Sequence, residues 1–326
     1  VEPRKLSLYE AVNGVREYRY LKKIEKNTSP GWPYNIQRNK DKGKRSQLII
    51  LGEKESEEYF LIPEVEEKLW KNTAEHEKGN RVYPVVNDQL KDEKLEAEKV
   101  CIMIMDEFGI VNAQWIGNTR IMNASPLEIF IEERQVCGAF YENMMLWHED
   151  IDSFCDLGVD PSRHFGFKII FTKLARRLGT YKTWELIKCI SGDLKKMDAS
   201  TAKRLSEAFR YVMVEWYRRG GCTDEAFLKQ LEMVDIDLSH VVHLAINLLY
   251  ITHGNPSGRF MTTLKNTFIM LFLMMLTAVN TWIAKNPKST DYTACFQYVY
   301  DTFKGLGDDH VLSVDDDCWF DMFDVR

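Results

Sequence analysis

The chain has 326 residues, of which 45% are hydrophobic and 28% charged, and its formal net charge is −6. A chain of that length and apolar content is globular with ample core, in about two domains. The acidic balance argues against a generic nucleic-acid coat, although a locally basic channel stays open because binding depends on where charges lie. The cysteines (Cys101, Cys137, Cys155, Cys189, Cys222, Cys295, Cys318) are scattered, odd in number and without a Cys-x-x-Cys pair. This favours reduced thiols in an intracellular protein over a zinc ribbon, and no His-Glu-x-x-His pair points to a zinc hydrolase. The opening Val1-Glu2-Pro3-Arg4-Lys5 is polar and lacks Met, so the chain reads as a segment of something longer.

In chain order, a polar helix-like stretch leads into Asn27-Thr28-Ser29-Pro30-Gly31-Trp32-Pro33-Tyr34, where two prolines and a glycine predict a stiff extended loop. Arg38, Lys40, Lys42, Lys44 and Arg45 then surround Gly43, as a solvated loop or a phosphate contact. A helix is expected over 64–70. Lys91, Lys99 and Arg120 can converge on a triphosphate, though taken singly they are ordinary surface cations. Between them, 101–117 is an apolar stretch. An apolar strand over 184–193 ends at Asp193, and Asp198 stands where the chain enters a helix, which also suits a capping acid. Leu205, Ala208, Phe209, Val212, Met213 and Trp216 recur at helical spacing until Gly220-Gly221.

Residues 253–266 form a Gly-rich loop running into a helix with Thr262 and Asn266 on one face; without Gly-Lys it is not a phosphate loop. The uncharged stretch between Lys265 and Lys285 invites a transmembrane reading, but Asn266, Thr267, Thr277, Asn280 and Thr281 interrupt it. A buried core helix is expected, with Phe268, Leu271, Phe272 and Met275 packed on a sheet and on the 205–216 helix. Finally, Lys304-Gly305-Leu306-Gly307-Asp308-Asp309-His310-Val311-Leu312-Ser313-Val314 reads as strand, tight turn, strand. Asp-Asp is common at solvated turns, but two hard carboxylates at one tip also suit magnesium.

In order along the chain, Asp193-x4-Asp198, Pro256-Ser257-Gly258-x3-Thr262-x3-Asn266 and Gly307-Asp308-Asp309 resemble the palm of right-hand polymerases. The resemblance is specifically to the RNA-dependent RNA polymerases of picorna-like positive-strand RNA viruses. The run Thr28 to Tyr34 and the block from Lys91-Asp92-Glu93 through Lys99 to Thr119-Arg120 and Ala124-Ser125 are similar to the family's finger motifs. It covers residues 27–314, nearly all of the chain.

That resemblance implies an α+β right-hand polymerase fold, an antiparallel palm sheet packed on helices, with fingers, truncated before the thumb. Fingers are expected at 1–136, palm at 137–236, a returning finger segment at 237–254 and palm again at 255–326. It implies template-directed RNA synthesis by two-metal nucleotidyl transfer, replicating a viral RNA genome. Asp193, Asp308 and Asp309 would be the catalytic, metal-holding acids for two Mg2+ ions, with Mn2+ able to substitute. Lys91, Lys99, Arg120, Asp198, Ser257, Gly258, Thr262 and Asn266 would serve the incoming nucleotide, and Thr28, Ser29, Pro30 and Gly31 the RNA template. Implied partners are an RNA template and primer, nucleoside triphosphates, a protein primer and other replication proteins of the same polyprotein. The implied location is the host cytoplasm at membrane-associated replication complexes, with the chain itself not transmembrane.

Departures from the family pattern are Leu95 where an arginine is usual, the 101–117 stretch resembling an insertion, Leu306 and His310 beside the acids, and Lys195-Lys196-Met197 between Asp193 and Asp198. Reverse transcriptases share the palm acids but place an aromatic at the position of Asp198 and usually Tyr-x-Asp-Asp at the turn. A membrane-anchored, non-enzymatic RNA-binding protein is the other alternative, resting on 266–284 and the basic run.

Overall fold

A computed structural model of the chain describes residues 1–36, 40–53, 56–90, 101–105, 109, 111–115, 121–148, 150, 152–160, 162–175, 188–192, 194, 197, 201–245, 248–314 and 319. The first helix, α1 (Leu8–Asn13), is held by a capping box in which Ser7 and Glu10 bond each other's backbone N–H. The 27–33 stretch forms no helix or strand, as its prolines dictate, and short 3-10 turns follow at Tyr34–Ile36 and Lys40–Gln47. A hairpin of β1 (Leu48–Leu51) and β2 (Glu58–Leu61) leads to α2 (Pro63–Lys78). Pro63 opens α2 where no amide donor is needed, and Gly79 closes it in the left-handed conformation. The helix expected at 64–70 therefore continues for two further turns, because Thr73 and His76 extend its buried stripe.

Next come β3 (Val85–Leu90), then an antiparallel hairpin of β4 (Cys101–Met105) and β5 (Val111–Trp115) in the insertion-like stretch, and β6 (Ile121–Ala124). Two helices, α3 (Leu127–Trp147) and α4 (His164–Ala175), precede β7 (Lys188–Gly192). The helix read from Leu205 to Trp216 is α5 (Lys203–Arg219), followed by α6 (Glu225–Ser239), whose Asp224 cap accepts from the Phe227 N–H. The strands β8 (His240–Ala245) and β9 (Leu248–His253) lead to α7 (Thr262–Lys285), α8 (Thr293–Thr302), β10 (Phe303–Leu306) and β11 (Asp309–Val314).

Two sheets position the site. One is antiparallel with order β10-β11-β7, as expected for the palm. The other has order β6-β3-β8-β9 and is mixed, since β8 runs parallel to β3 while the other pairs are antiparallel. Helix α3, buried on almost every side, packs against α1, α2, α5 and α6. Its Leu127 and Ile131 join a core with α1, α2 and the β1–β2 hairpin, while Val136 and Phe140 join the larger core with α5, α6 and α7. A boundary at 136/137 falls inside this helix.

Packing bears on the transmembrane reading of the 266–284 stretch. α7 is long and apolar enough to cross a bilayer by composition. Yet its residues 264–271 are all buried, and the Phe268 ring lies 4.9 Å from Phe154, 5.3 Å from Phe209 and 6.1 Å from Phe140. Burial of one such ring contributes roughly 2–3 kcal/mol. Phe268 and Leu271 are buried as expected, whereas Phe272 and Met275 are only half-buried at the margin of the core. The second half of α7 turns outward, with Leu276 and Ile283 exposed.

Candidate active site

The acids Asp308 and Asp309 stand at the β10–β11 turn, with Leu306 paired to Asp309 and Gly307 at φ +69°. The Gly307 N–H donates to Thr267 Oγ1 of α7 at 2.8 Å, so the turn is bolted to the helix behind it. Gly305 is held from the other side: its N–H donates to the Phe154 carbonyl at 2.9 Å, and its own carbonyl accepts from Asp156 N–H at 2.8 Å. Lys304 is fully buried with Nζ 3.0 Å from Asp156 Oδ1. Burial nonetheless raises the Asp156 pKa above its ordinary value, against the pull of Lys304. Asp308 is half-buried and Asp309 exposed, which leaves the acid tip open.

β11 pairs with β7 so that His310 stands opposite Gly192. The His310 ring lies directly on Gly192, since a Cβ there would come within 2.9 Å of His310 Cε1. Its Nδ1–H donates to the Asp308 carbonyl at 3.0 Å, and Phe303 stacks on the same ring. Asp193 follows Gly192 in sequence, but Asp193, Asp198, Lys91, Lys99 and Arg120 lie outside the described residues. Among the described residues, no three His, Cys, Asp or Glu side chains gather as a metal-holding group.

Three of the remaining expected site residues, Ser257, Gly258 and Gly31, meet one short segment, 123–126. A Cβ on Gly258 would lie 2.0 Å from the Asn123 carbonyl oxygen, and one on Gly31 2.2 Å from that of Ser125. The Asn123 N–H donates to Ser257 Oγ at 3.1 Å, and Ala124 forms a parallel bridge with Gly258. Two loops from opposite ends of the chain thus flank the end of β6. Thr28 is tied down as well, its hydroxyl taking a bond from Lys44 Nζ while its carbonyl accepts Lys44 N–H at 2.9 Å. Lys44 of the basic run is therefore not solvated; burial, with Arg134 nearby, lowers its pKa to about 8. A cavity of about 420 Å³ beside this loop is lined by neutral groups of both kinds, Asn27, Ser29, Asn35, Ser46, Asn87 and Gln89 together with Pro30, Tyr34, Ile36 and Gly43.

The Ser257–Gly258 loop rests on buried charge. Arg259 donates from Nε to Glu133 Oε1 at 2.8 Å and from Nη2 to Asp235 Oδ1 at 3.0 Å. Lys265 Nζ reaches the same Asp235 oxygen at 2.9 Å and Ser239 Oγ at 2.6 Å. Burial opposes every charge here. Even so, Glu133 and Asp235 raise the Arg259 pKa, and Lys265, Arg259 and Arg210 hold the Asp235 carboxyl well below the usual carboxylate range. The Thr262 hydroxyl donates to the Pro256 carbonyl at 2.7 Å and closes the loop. Asn255, fully buried, joins Arg259 to Asn266: Nη1 of Arg259 is 3.3 Å from Asn255 Oδ1, and Asn255 Nδ2 is 2.6 Å from Asn266 Oδ1.

Four residues of this region escaped the sequence reading: Thr267, Asn255, Arg259 and Asp88. Asp88 is a hub that accepts from His243 Nδ1 at 2.8 Å, from the Tyr250 hydroxyl and from Asn123 Nδ2. Only Arg259, a charge immediately after Ser257-Gly258, carried a sequence signal.

Comparison with known proteins follows the same lines. The chain is 25% identical to the replicase polyprotein of Drosophila C virus (strain EB), with 99% of this chain and 17% of that polyprotein aligned. It is 27% identical to the replicase polyprotein of acute bee paralysis virus (strain Rothamsted), over 97% of this chain and 15% of the polyprotein. Among solved structures, the Sicinivirus 3Dpol RNA dependent RNA polymerase superposes with a TM-score of 0.60 at 16% identity, covering 98% of this chain and 56% of that one. The right-hand polymerase fold expected from the motifs is thus the fold observed. The profile of the viral RNA-dependent RNA polymerases matches residues 2–324, and the chain belongs to that family.

Proposed function

We propose that this chain carries fingers and palm of an enzyme that builds RNA on an RNA template by two-metal nucleotidyl transfer, replicating a viral genome. The observation that carries the proposal is the acid turn pinned to α7 by Thr267, on a strand paired with the one that leads into Asp193. The donor set fits the ions: Asp308 and Asp309 offer hard carboxylate oxygens at an open tip, and Asp193 would complete the set. Two Mg2+ ions, or Mn2+ in their place, would supply Lewis acidity toward the primer 3′-hydroxyl and the leaving pyrophosphate.

The chain's own residues do the rest. Lys91, Lys99 and Arg120 hold the incoming triphosphate by charge-assisted bonds. Asp198 and Asn266 read the ribose, with Ser257, Gly258 and Thr262 shaping the loop above Asn266. Thr28, Ser29, Pro30 and Gly31 guide the RNA template past the 123–126 segment. Fingers comprise 1–136 with a returning segment at 237–254, and the palm comprises 137–236 and 255–326. The partners are RNA template and primer, nucleoside triphosphates, a protein primer and other products of the same polyprotein, at membrane-associated replication complexes in the host cytoplasm.

Primer extension on an RNA template, run with the full polymerase and Mg2+, tests this. Asp308→Asn is expected to abolish extension with ribonucleotides and 2′-deoxynucleotides alike, while circular dichroism and melting temperature stay at wild-type values. Asn266→Ala is expected to weaken ribonucleotide incorporation alone, by about 1–3 kcal/mol for a lost buried bond. Wild-type extension by Asp308→Asn would overturn the assignment.

A further inference from the structure

The bonds around Asn255 fix more than its position, because two of its three partners have only one possible polarity. A guanidinium donates and cannot accept, so the Asn255 atom 3.3 Å from Arg259 Nη1 must be the amide oxygen. A backbone carbonyl accepts and cannot donate, so the Asn255 atom 3.0 Å from the Thr262 carbonyl must be the NH2. Both ends of Asn255 are therefore determined independently and agree. The same NH2 lies 2.6 Å from the Asn266 side chain, which must answer with its oxygen. Among the described residues, Asn266 Nδ2 then donates to none, and the side of Asn266 turned from Asn255 carries N–H groups only.

Arg259 cannot slip out of this arrangement. Its Nη2 is 2.6 Å from Glu133 Oε1 and 3.0 Å from Asp235 Oδ1, and all three side chains are essentially inaccessible. The second oxygen of Glu133 accepts the Phe260 N–H at 2.7 Å, which fastens the guanidinium to the loop backbone.

We infer that Asn255, oriented by Arg259, is a positioning residue that locks Asn266 as a hydrogen-bond donor, so that the site selects nucleotides whose 2′ substituent accepts a hydrogen bond. The inference rests on the proposed role of Asn266 at the sugar and assigns that role a direction. A ribose hydroxyl satisfies it with its oxygen lone pairs, and its own proton is left for a carboxylate such as Asp198. A 2′-fluorine satisfies it in part, and a 2′-deoxy carbon not at all.

Two isosteric variants test the polarity. Asn266→Asp keeps an oxygen toward Asn255 but turns a second oxygen, in place of NH2, toward the sugar. Asn255→Asp presents an acceptor to Asn266 and so reverses its amide. In single-nucleotide extension by the full polymerase, both are expected to lower the ribo-to-deoxy ratio of kcat/KM by about tenfold or more, mainly through the KM of the ribonucleotide. The kcat/KM for the 2′-deoxynucleotide should fall far less than that for the ribonucleotide, and 2′-fluoro nucleotides should lose their advantage over 2′-deoxy. An unchanged ratio in Asn266→Asp overturns the inference, and that variant decides alone if Asn255→Asp fails to fold.

A measurement free of catalysis separates this inference from the proposed function. By NMR of Asn side-chain amides in the unliganded protein, the Asn255 NH2 should be protected from hydrogen exchange and the Asn266 NH2 should exchange faster than it. The reverse pattern overturns the inference even in an active enzyme. The expected pattern in a protein that extends no primer would instead count against the proposed function alone.

Discussion

Gly258 and Gly307 are both glycines at the site, for different physical reasons. Gly307 needs a positive φ, but a Cβ there would meet Thr263 Cγ2 at an ordinary 3.5 Å. Gly258 needs room, because its Cβ would strike the Asn123 backbone oxygen at 2.0 Å. Gly307→Ala should therefore cost about 1–2 kcal/mol of backbone strain and leave the 123–126 segment in place. Gly258→Ala should cost about 1–3 kcal/mol and displace that segment, so that extension falls further than in Gly307→Ala at equal melting temperature. Thermal unfolding and primer extension on the two variants check this. The acid turn and the Ser-Gly loop were legible as a turn and a loop, because glycine marks both in the sequence. Asn255 and Thr267 were not, because a neutral polar residue acquires its meaning only from what the fold sets opposite it.

At the scale of elements, α3 shows why the sequence reading stopped short. Glu128, Glu132, Glu133, Arg134 and Glu142 look like the wet face of a surface helix, yet all are buried. Each charge has a fixed answer elsewhere in the chain. Glu142 accepts three backbone N–H groups, from Arg19 at 2.5 Å, Tyr20 at 2.9 Å and Leu21 at 2.8 Å. Glu142→Gln retains one acceptor where two oxygens are needed, and should cost about 1–3 kcal/mol in chemical denaturation. By contrast α2, α5 and α7 were legible, since their apolar stripes face the core without buried charge of comparable density.

The α2–α3–α6 contact adds a pH dependence. His76 is clamped between Glu132 at 2.9 Å and Asp237 at 3.1 Å. Burial alone would lower its pKa, but bonds to Asp237 and Glu132 raise it from 6.5 to about 9. A folded-state value above the unfolded one means stability that is fully present below pH 6.5 and lost as pH rises through 9. Its size is at most about 3 kcal/mol. Urea denaturation of wild type and His76→Gln at pH 6 and pH 9.5 should show the gap between the two proteins narrowing at the higher pH.

Across the whole molecule, buried packing is shared by segments on both sides of the expected division into fingers and palm. Gln230 of α6 donates to Glu132 of α3 at 2.8 Å, and the same Glu132 holds His76 of α2. Arg81 bonds Asp237 at 2.6 Å just before the mixed sheet begins. Because these buried links join segments far apart in sequence, unfolding should be a single transition by circular dichroism and tryptophan fluorescence alike. Two separated transitions would contradict it. The overall hand was legible from the order of its motifs, whereas the mixed sheet was not. β3 and β8 are paired in parallel across some 150 residues of chain, and no local pattern announces such a partner.

Asn266 and Thr267 are consecutive residues of α7, yet they answer to different clients, the proposed sugar site and the turn that carries the acids. A helix is stiff over so short a span, so neither residue can be displaced without its neighbour. If Asn266 reads the sugar as proposed, sugar selection and the placing of the acid turn would be coupled through this one helix. A misfitting nucleotide that displaced Asn266 would then also strain the Thr267 bond under Gly307. In rapid-quench kinetics the wrong sugar should accordingly slow the chemical step itself, in addition to binding more weakly. Thr267→Val, which removes the bond to Gly307, should narrow that difference in rate.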